Sequence, residues 1–145
     1  MANALYENYR NLIIGDDSAT LTLTDWDTDT IKAHLVDTTD YVVNLATDVA
    51  ESDVTDAGIV TNGTATLTAV TAGTVGVGVV DAGNTTFSTV TGDEAEAVVL
   101  WEDTGGADTT DPLLVYFDTF ASGMPVTPNG GDITVQWNAS GIFQI

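Results

Sequence analysis

The stretch AVVLWEDTGGADTTDPLLVYF, residues 97–117, contains two runs, Ala97 to Trp101 and Leu113 to Phe117, in which every residue is apolar. A half-exposed strand alternates apolar with polar side chains, so runs without alternation belong to strands covered on both faces. These two are the expected central strands. The acidic, glycine-containing linker between them stops at Pro112 and reads as an exposed hairpin tip.

Working outward, period-two patterns dominate. Leu21 and Leu23 alternate with Thr20, Thr22 and Thr24. Ile31, Ala33 and Leu35 alternate with Thr30, Lys32 and His34, and Tyr41, Val43 and Leu45 follow an Asp-Thr-Thr-Asp turn. Threonine fills the outward positions, where its β-branch suits a pleated strand. Residues 46–58 lack a period and read as a crossing loop. Strand signals resume at Thr64 to Val70 and at Thr74 to Val80, where Gly76 and Gly78 share one face and imply a second backbone close against them. In PVTPNGGDITVQW, residues 125–137, Asn129-Gly130 signals a tight primed hairpin turn, with Ile133, Val135 and Trp137 facing one way beyond it. Only the opening segment has helical spacing: Leu5, Tyr9, Leu12 and Ile13, with Asn3 as cap and Gly15 as stop. The expected fold is all-β, an antiparallel β-sandwich or barrel-like domain preceded by one short N-terminal α-helix. Residues 1–145 form a single domain, with a helical segment over 1–15 and the β-domain over 19–145.

The charge is lopsided. Arg10 and Lys32 stand against 22 acidic residues, for a formal net charge of -20 with no acidic block. So many like charges on a compact body repel, and in molar salt a Debye length of about 3 Å screens them. A molar-salt habitat follows. Aspartate outnumbers glutamate and sits where turns are expected, accepting hydrogen bonds from its own backbone. The charge also opposes nucleic-acid binding, since phosphate contacts need Lys or Arg. The opening MANALYENYRNLII has neither a basic leader nor a long apolar core, and AVVLW is too short to span a bilayer, so neither export by the usual signals nor a membrane partner is expected.

Little in the chain points to chemistry. Cysteine is absent and His34 is the sole histidine, so neither a Ser-His-Asp arrangement nor a nitrogen-rich metal site is easily built. We read His34 as a polar strand residue beside a carboxylate. Asp25, Asp27 and Asp29 have the rhythm of a calcium loop, but Thr30 and Val36 stand where an EF-hand needs glycine and glutamate, which favours a solvated acidic turn. There is no G-x-S-x-G, no phosphate loop and no H-E-x-x-H, so no enzyme, no catalytic residue, no cofactor and no metal are expected. Three N-x-S/T sequons begin at Asn62, Asn84 and Asn138, a frequency in keeping with the threonine-rich composition.

Four segments together resemble a known family: ANALYENYRNLI at residues 2–13, DTIKAHLVDTTDYVVNLAT at 29–47, FSTVTGDEAEAVVLWEDTG at 87–105 and GMPVTPNGGDITVQWNASGIFQI at 123–145. They are similar to small virion structural proteins of tailed double-stranded DNA viruses. The most specific pieces are DTIKAHLVD and PVTPNGGDI, neither a catalytic motif. The resemblance implies a virion component, and threonine or aspartate in place of lysine suggests a virus of a halophilic archaeon. The leading expectation is a capsid decoration or turret protein, assembled in the host cytoplasm as a homo-oligomer on the major capsid protein. Tyr6 and Tyr9 of the helix, or Phe143 and Ile145 at the end, would make the contacts. Alternatives are a tail, neck or baseplate component, and a carbohydrate-binding surface module with Trp26, Trp101 or Trp137 as stacking platform. A DNA mimic should line its acids along one face, whereas here they occupy nearly every turn.

Overall fold

The computed structural model describes residues 3–15, 21–73 and 78–145. Within them the elements run β1 (Ala4–Leu5), α1 (Glu7–Ile13), β2 (Thr30–Val36), β3 (Ile59–Thr66), β4 (Thr71–Ala72), β5 (Val79–Asp81), β6 (Thr85–Phe87), β7 (Ala97–Asp103), β8 (Leu113–Phe117), β9 (Ile133–Val135) and β10 (Phe143–Gln144). The protein is all-β, with antiparallel sheets and one short helix near its start. The expected positions Thr20, Thr74, Val75, Gly76 and Val77 lie outside the described residues.

A five-stranded sheet in the order β1-β8-β7-β2-β3 forms the frame, beside a three-stranded sheet β10-β5-β4 and a pair β6-β9. β7 is central, as its unbroken apolar run predicts, and its residues from Ala97 to Glu102 are all buried. β8 is buried throughout. Register fixes the two faces: Leu100 lies opposite Ala33 and Val115, and Val99 lies opposite His34 and Tyr116. Phe87, Val90, Val80 and Val135 from the smaller sheets and their loops join the same core as Tyr9 of α1 and Tyr41 and Val54 of the long connections. The tip between β7 and β8 is exposed, as expected, and carries a single 3-10 turn at Asp108–Thr110.

Departures from expectation are local. Residues 21–24 and 41–45 form no strand. Thr24 donates its hydroxyl to Glu102, while Asp48 accepts the Asn44 N–H and folds the 41–48 segment on itself. The helix starts later than expected, after Tyr6, because Asn3 is bonded to Asp118 and Thr119 and the two residues after it pair with β8. Gly15 ends it with a φ of +81°. Asn129-Gly130 does not close a hairpin. Only Gly130 has positive φ, and the arms turn to distant partners, Val126 to Ala95 and Gly130 and Gly131 to Val90. β9 pairs with β6 instead. The glycine expectation holds at Gly78, where a Cβ would stand 2.7 Å from the Ile145 carbonyl oxygen.

Because β7 is enclosed by neighbours on both faces and both edges, a void there cannot be closed by surface relaxation. Leu100→Ala is expected to lower unfolding free energy by about 2–5 kcal/mol, read from urea denaturation in molar salt. A loss no larger than that of an exposed substitution such as Val42→Ala would contradict the two-sided burial.

Candidate functional site

The N-terminal tyrosines expected as assembly contacts are core residues. Tyr6 is 0% and Tyr9 1% exposed. Tyr41 donates its hydroxyl to Asp48 at 2.9 Å and accepts from the Tyr6 hydroxyl at 2.9 Å, and Tyr9 accepts the Trp26 indole N–H at 2.6 Å. Burial pushes all three phenols above their ordinary range. Their burial has a backbone cause: β1 pairs with β8, and Glu7 N–H bonds the Leu45 carbonyl, so the segment is drawn into the body instead of standing off as an arm. Phe143 is half-buried, its ring edge-on to Trp26 at 5.3 Å, while Ile145 stays 66% exposed although its N–H is held by Gly78. Of the four expected contacts, Ile145 alone is fully offered to a neighbour.

His34 shares its strand face with Lys32, as the alternation implies, yet it is 3% exposed, with Glu51 of the long connection lying against it. Its Nε2 lies 2.9 Å from Glu51 Oε1 and its Nδ1 2.9 Å from Thr64 Oγ1, and the ring stacks on Trp101 at 5.0 Å. A carboxylate only accepts, so Nε2 carries a hydrogen toward Glu51, while Nδ1 faces the Thr64 hydroxyl, which can serve as donor or acceptor. Hydroxyl, imidazole and carboxylate thus stand in a row. The order on the ring is reversed relative to the nucleophilic template, in which the base nitrogen is Nε2 and the acid holds Nδ1. The row ties β2, β3 and the 3-10 turn at Glu51–Asp53 together. Beside it Lys32 pairs with Asp103 and sits 5.3 Å from the Trp101 ring centre.

The acids serve the backbone. In the Asp25 to Asp29 turn, Asp29 accepts the Asp25 N–H, Asp25 accepts the Asp27 N–H, and Asp27 accepts from Ala72 in β4. The first two bonds hold the turn itself and the third ties it to β4. Asp37, Asp53 and Asp103 hold Thr39, Ala50 and Gly105 within their own turns, Asp111 spans the β7–β8 tip to Thr104, and Asp132 reaches across the fold to Thr89. Among the described residues the one group of carboxylates close enough to share a cation is Asp37, Asp40 and Asp93, and Asp37 there already accepts both the N–H and the hydroxyl of Thr39. Those bonds hold Asp37 below the usual carboxylate range, and Lys32 with the Gly105 N–H does so for Asp103. Glu102 is the opposite case. Burial raises it against the Thr24 hydroxyl, and the negative charges of Asp29 and Asp111 add to the rise.

One uncharged concavity, beside Asn62, Thr66 and Thr86, has no aromatic lining; another is distinct in having one. A hollow of about 530 Å³ opens where the end of β8, the 119–124 loop, β9 and the chain to Ile142 meet. Phe117, Phe120 and Trp137 line it, and no Asp, Glu, Lys, Arg or His does. Phe117 is the hub, with the Phe120 ring at 6.4 Å and the Trp137 ring at 5.6 Å. Trp137 is half-buried, whereas Trp26 and Trp101 are 5% and 6% exposed and cannot serve as platforms. These residues come from separate elements, and no sequence motif joins them.

Glu102 supplies a pH test. The folded state keeps its proton to higher pH than the unfolded chain, so its ionisation destabilises the fold as pH rises through the raised value. Glu102→Gln is expected to be more stable than the parent at neutral pH, with the difference vanishing on acidification below the ordinary carboxylate value. Asp37→Asn should be less stable at neutral pH, and that difference should also shrink on acidification, as the parent loses the bonds that favour the carboxylate. Urea midpoints across pH at fixed molar salt measure both; a pH-independent Glu102→Gln difference would refute the burial argument. In comparison with known proteins, no family model and no curated protein matches the chain.

Proposed function

We propose that the chain is a virion structural protein of a tailed virus of a halophilic archaeon, a capsid decoration or turret protein seated as a homo-oligomer on the major capsid shell. It acts as a scaffold, without catalysis or cofactor, and assembles in the host cytoplasm. The observation that carries this reading is the dispersal of 22 carboxylates against two bases, with aspartates capping turn after turn of a β-body. A surface of this kind suits a particle that meets brine directly, where salt screens the repulsion. The resemblance of the four segments to small virion proteins supports the same reading.

Self-assembly needs places where two such bodies can meet without opposing charge. Ile14, Leu23, Val42 and Ile145 are the large apolar side chains left exposed among the described residues, and Ile145, anchored through its backbone, is the contact we favour. No helix among them is long and apolar enough to cross a membrane.

Dilution is the direct test. On passing from molar to millimolar salt, circular dichroism should lose β-signal or sedimentation should report a smaller oligomer. Unchanged spectra and size would remove the halophile reading. Placement follows from copy number by stained-gel densitometry of purified particles: on the order of hundreds of copies supports the shell, and roughly a few dozen or fewer supports tail, neck or baseplate instead.

A further inference from the structure

We infer that the uncharged hollow between Phe117, Phe120 and Trp137 is a binding site for a neutral saccharide. Its volume of about 530 Å³ falls within the range in which small ligands are held by a mostly apolar lining with a few polar groups. The lining has that character: an aromatic triplet, with Gln136 and Asn138 at the same cavity.

Each element narrows the ligand. Trp137 donates its indole N–H to Thr85 at 3.1 Å, and Thr85 is 2% exposed, so the indole is anchored inward and offers the cavity carbon surface. Phe120, half-buried, adds more of the same, and Phe117, only 6% exposed, backs both rings from beneath. An aromatic wall of this kind suits the C–H face of a sugar ring, which is apolar although its rim is polar. Asn138 accepts the Ser140 N–H through Oδ1, so its amide hydrogens are the donors it can offer a ligand, and Gln136 is exposed nearby. Side-chain amides carry both donors and acceptors, the complement of a ring of hydroxyls.

Charge decides among the other classes. In a chain where 17% of residues are charged, none of those lining the hollow is. An anionic ligand would approach a body of net charge -20 and find no cation inside. A cationic ligand would find carboxylates almost anywhere else. A purely apolar ligand would strip water from the amides without replacing their hydrogen bonds. A neutral polyol meets none of these objections, and its recognition does not weaken when molar salt screens ionic contacts. The inference stands on the cavity and is independent of the virion reading.

The test uses the full chain, labelled with nitrogen-15, in molar potassium chloride. D-glucose, D-galactose, D-mannose, N-acetylglucosamine and their methyl glycosides are titrated separately while amide resonances are followed. Expected for at least one sugar is a saturable millimolar shift confined to residues 119–124 and 133–142 and to the Trp137 indole N–H. Phe120→Ala and Gln136→Ala, both outside the central sheet, should keep the fold and weaken binding about 3- to 10-fold, the loss of one aromatic or amide contact. Trp137→Ala should abolish it. No shift of these residues with any sugar up to several hundred millimolar would overturn the inference. So would shifts that Phe120→Ala and Gln136→Ala leave unaltered, or shifts that follow protein concentration alone and mark the hollow as a self-association face.

Discussion

Ala97 to Glu102 are buried without interruption, and the rest of the chain is arranged around that fact. A strand covered on both faces needs a layer on each side and a paired strand at each edge. β8 and β2 supply the edges. The layers cannot come from regular sheets alone, because the remaining strands are short. They come from long connections as well, and those connections bring Tyr41, Val54 and Leu67 into the core. The face that carries Lys32 and His34 is therefore polar in sequence and buried in structure, and its polar groups must be satisfied internally. Glu51 and Thr64 do that for His34.

The same constraint explains the work of the aspartates. Connections that lie over a core expose backbone N–H groups at every reversal, with no sheet partner to take them. A short carboxylate two to four residues away takes them instead, as Asp53 does for Val49 and Ala50 and Asp48 for Asn44. Acidity and loop architecture are thus two aspects of one solution. A chain of this topology can carry many carboxylates because each reversal needs an acceptor.

Legibility in the sequence followed the range of the deciding interaction. The central strands were readable from Ala97 to Trp101 and Leu113 to Phe117, because two-sided burial writes itself into consecutive residues. The Asp37 turn and the Gly15 stop were readable for the same local reason. Threonine was misleading: it favours strands by its β-branch and turns by its hydroxyl, so Leu21 to Thr24 alternated like a strand while Thr24 served Glu102 across the fold. Asn129-Gly130 was a sound local signal overruled by pairing with Val90 and Ala95. Tyr6 and Tyr9 looked like surface aromatics near a terminus, and their burial depends on a strand more than 100 residues away, Tyr116 lying opposite Ala4. The partners of His34 and the aromatic hollow left no pattern, since each gathers residues from elements that meet only in three dimensions.

Two kinds of surface result, and the contrast bears on recognition. Over most of the body, turn aspartates hold their backbone and face solvent, and any approaching macromolecule meets negative charge that salt only partly hides. At the hollow the lining comes from the end of β8, the 119–124 loop, β9 and the chain beyond it, segments whose side chains there are aromatic, aliphatic, amide or hydroxyl. Molar salt strengthens the burial of apolar surface where the salt is excluded and leaves neutral hydrogen bonds in place, while it erases long-range electrostatic attraction. In such a medium an uncharged hollow with an aromatic lining is where a protein of this charge could discriminate best. Specificity would then reside in the tilt of Phe120 and Trp137 about Phe117 and in the reach of Gln136 and Asn138, not in the 22 acids that dominate its composition.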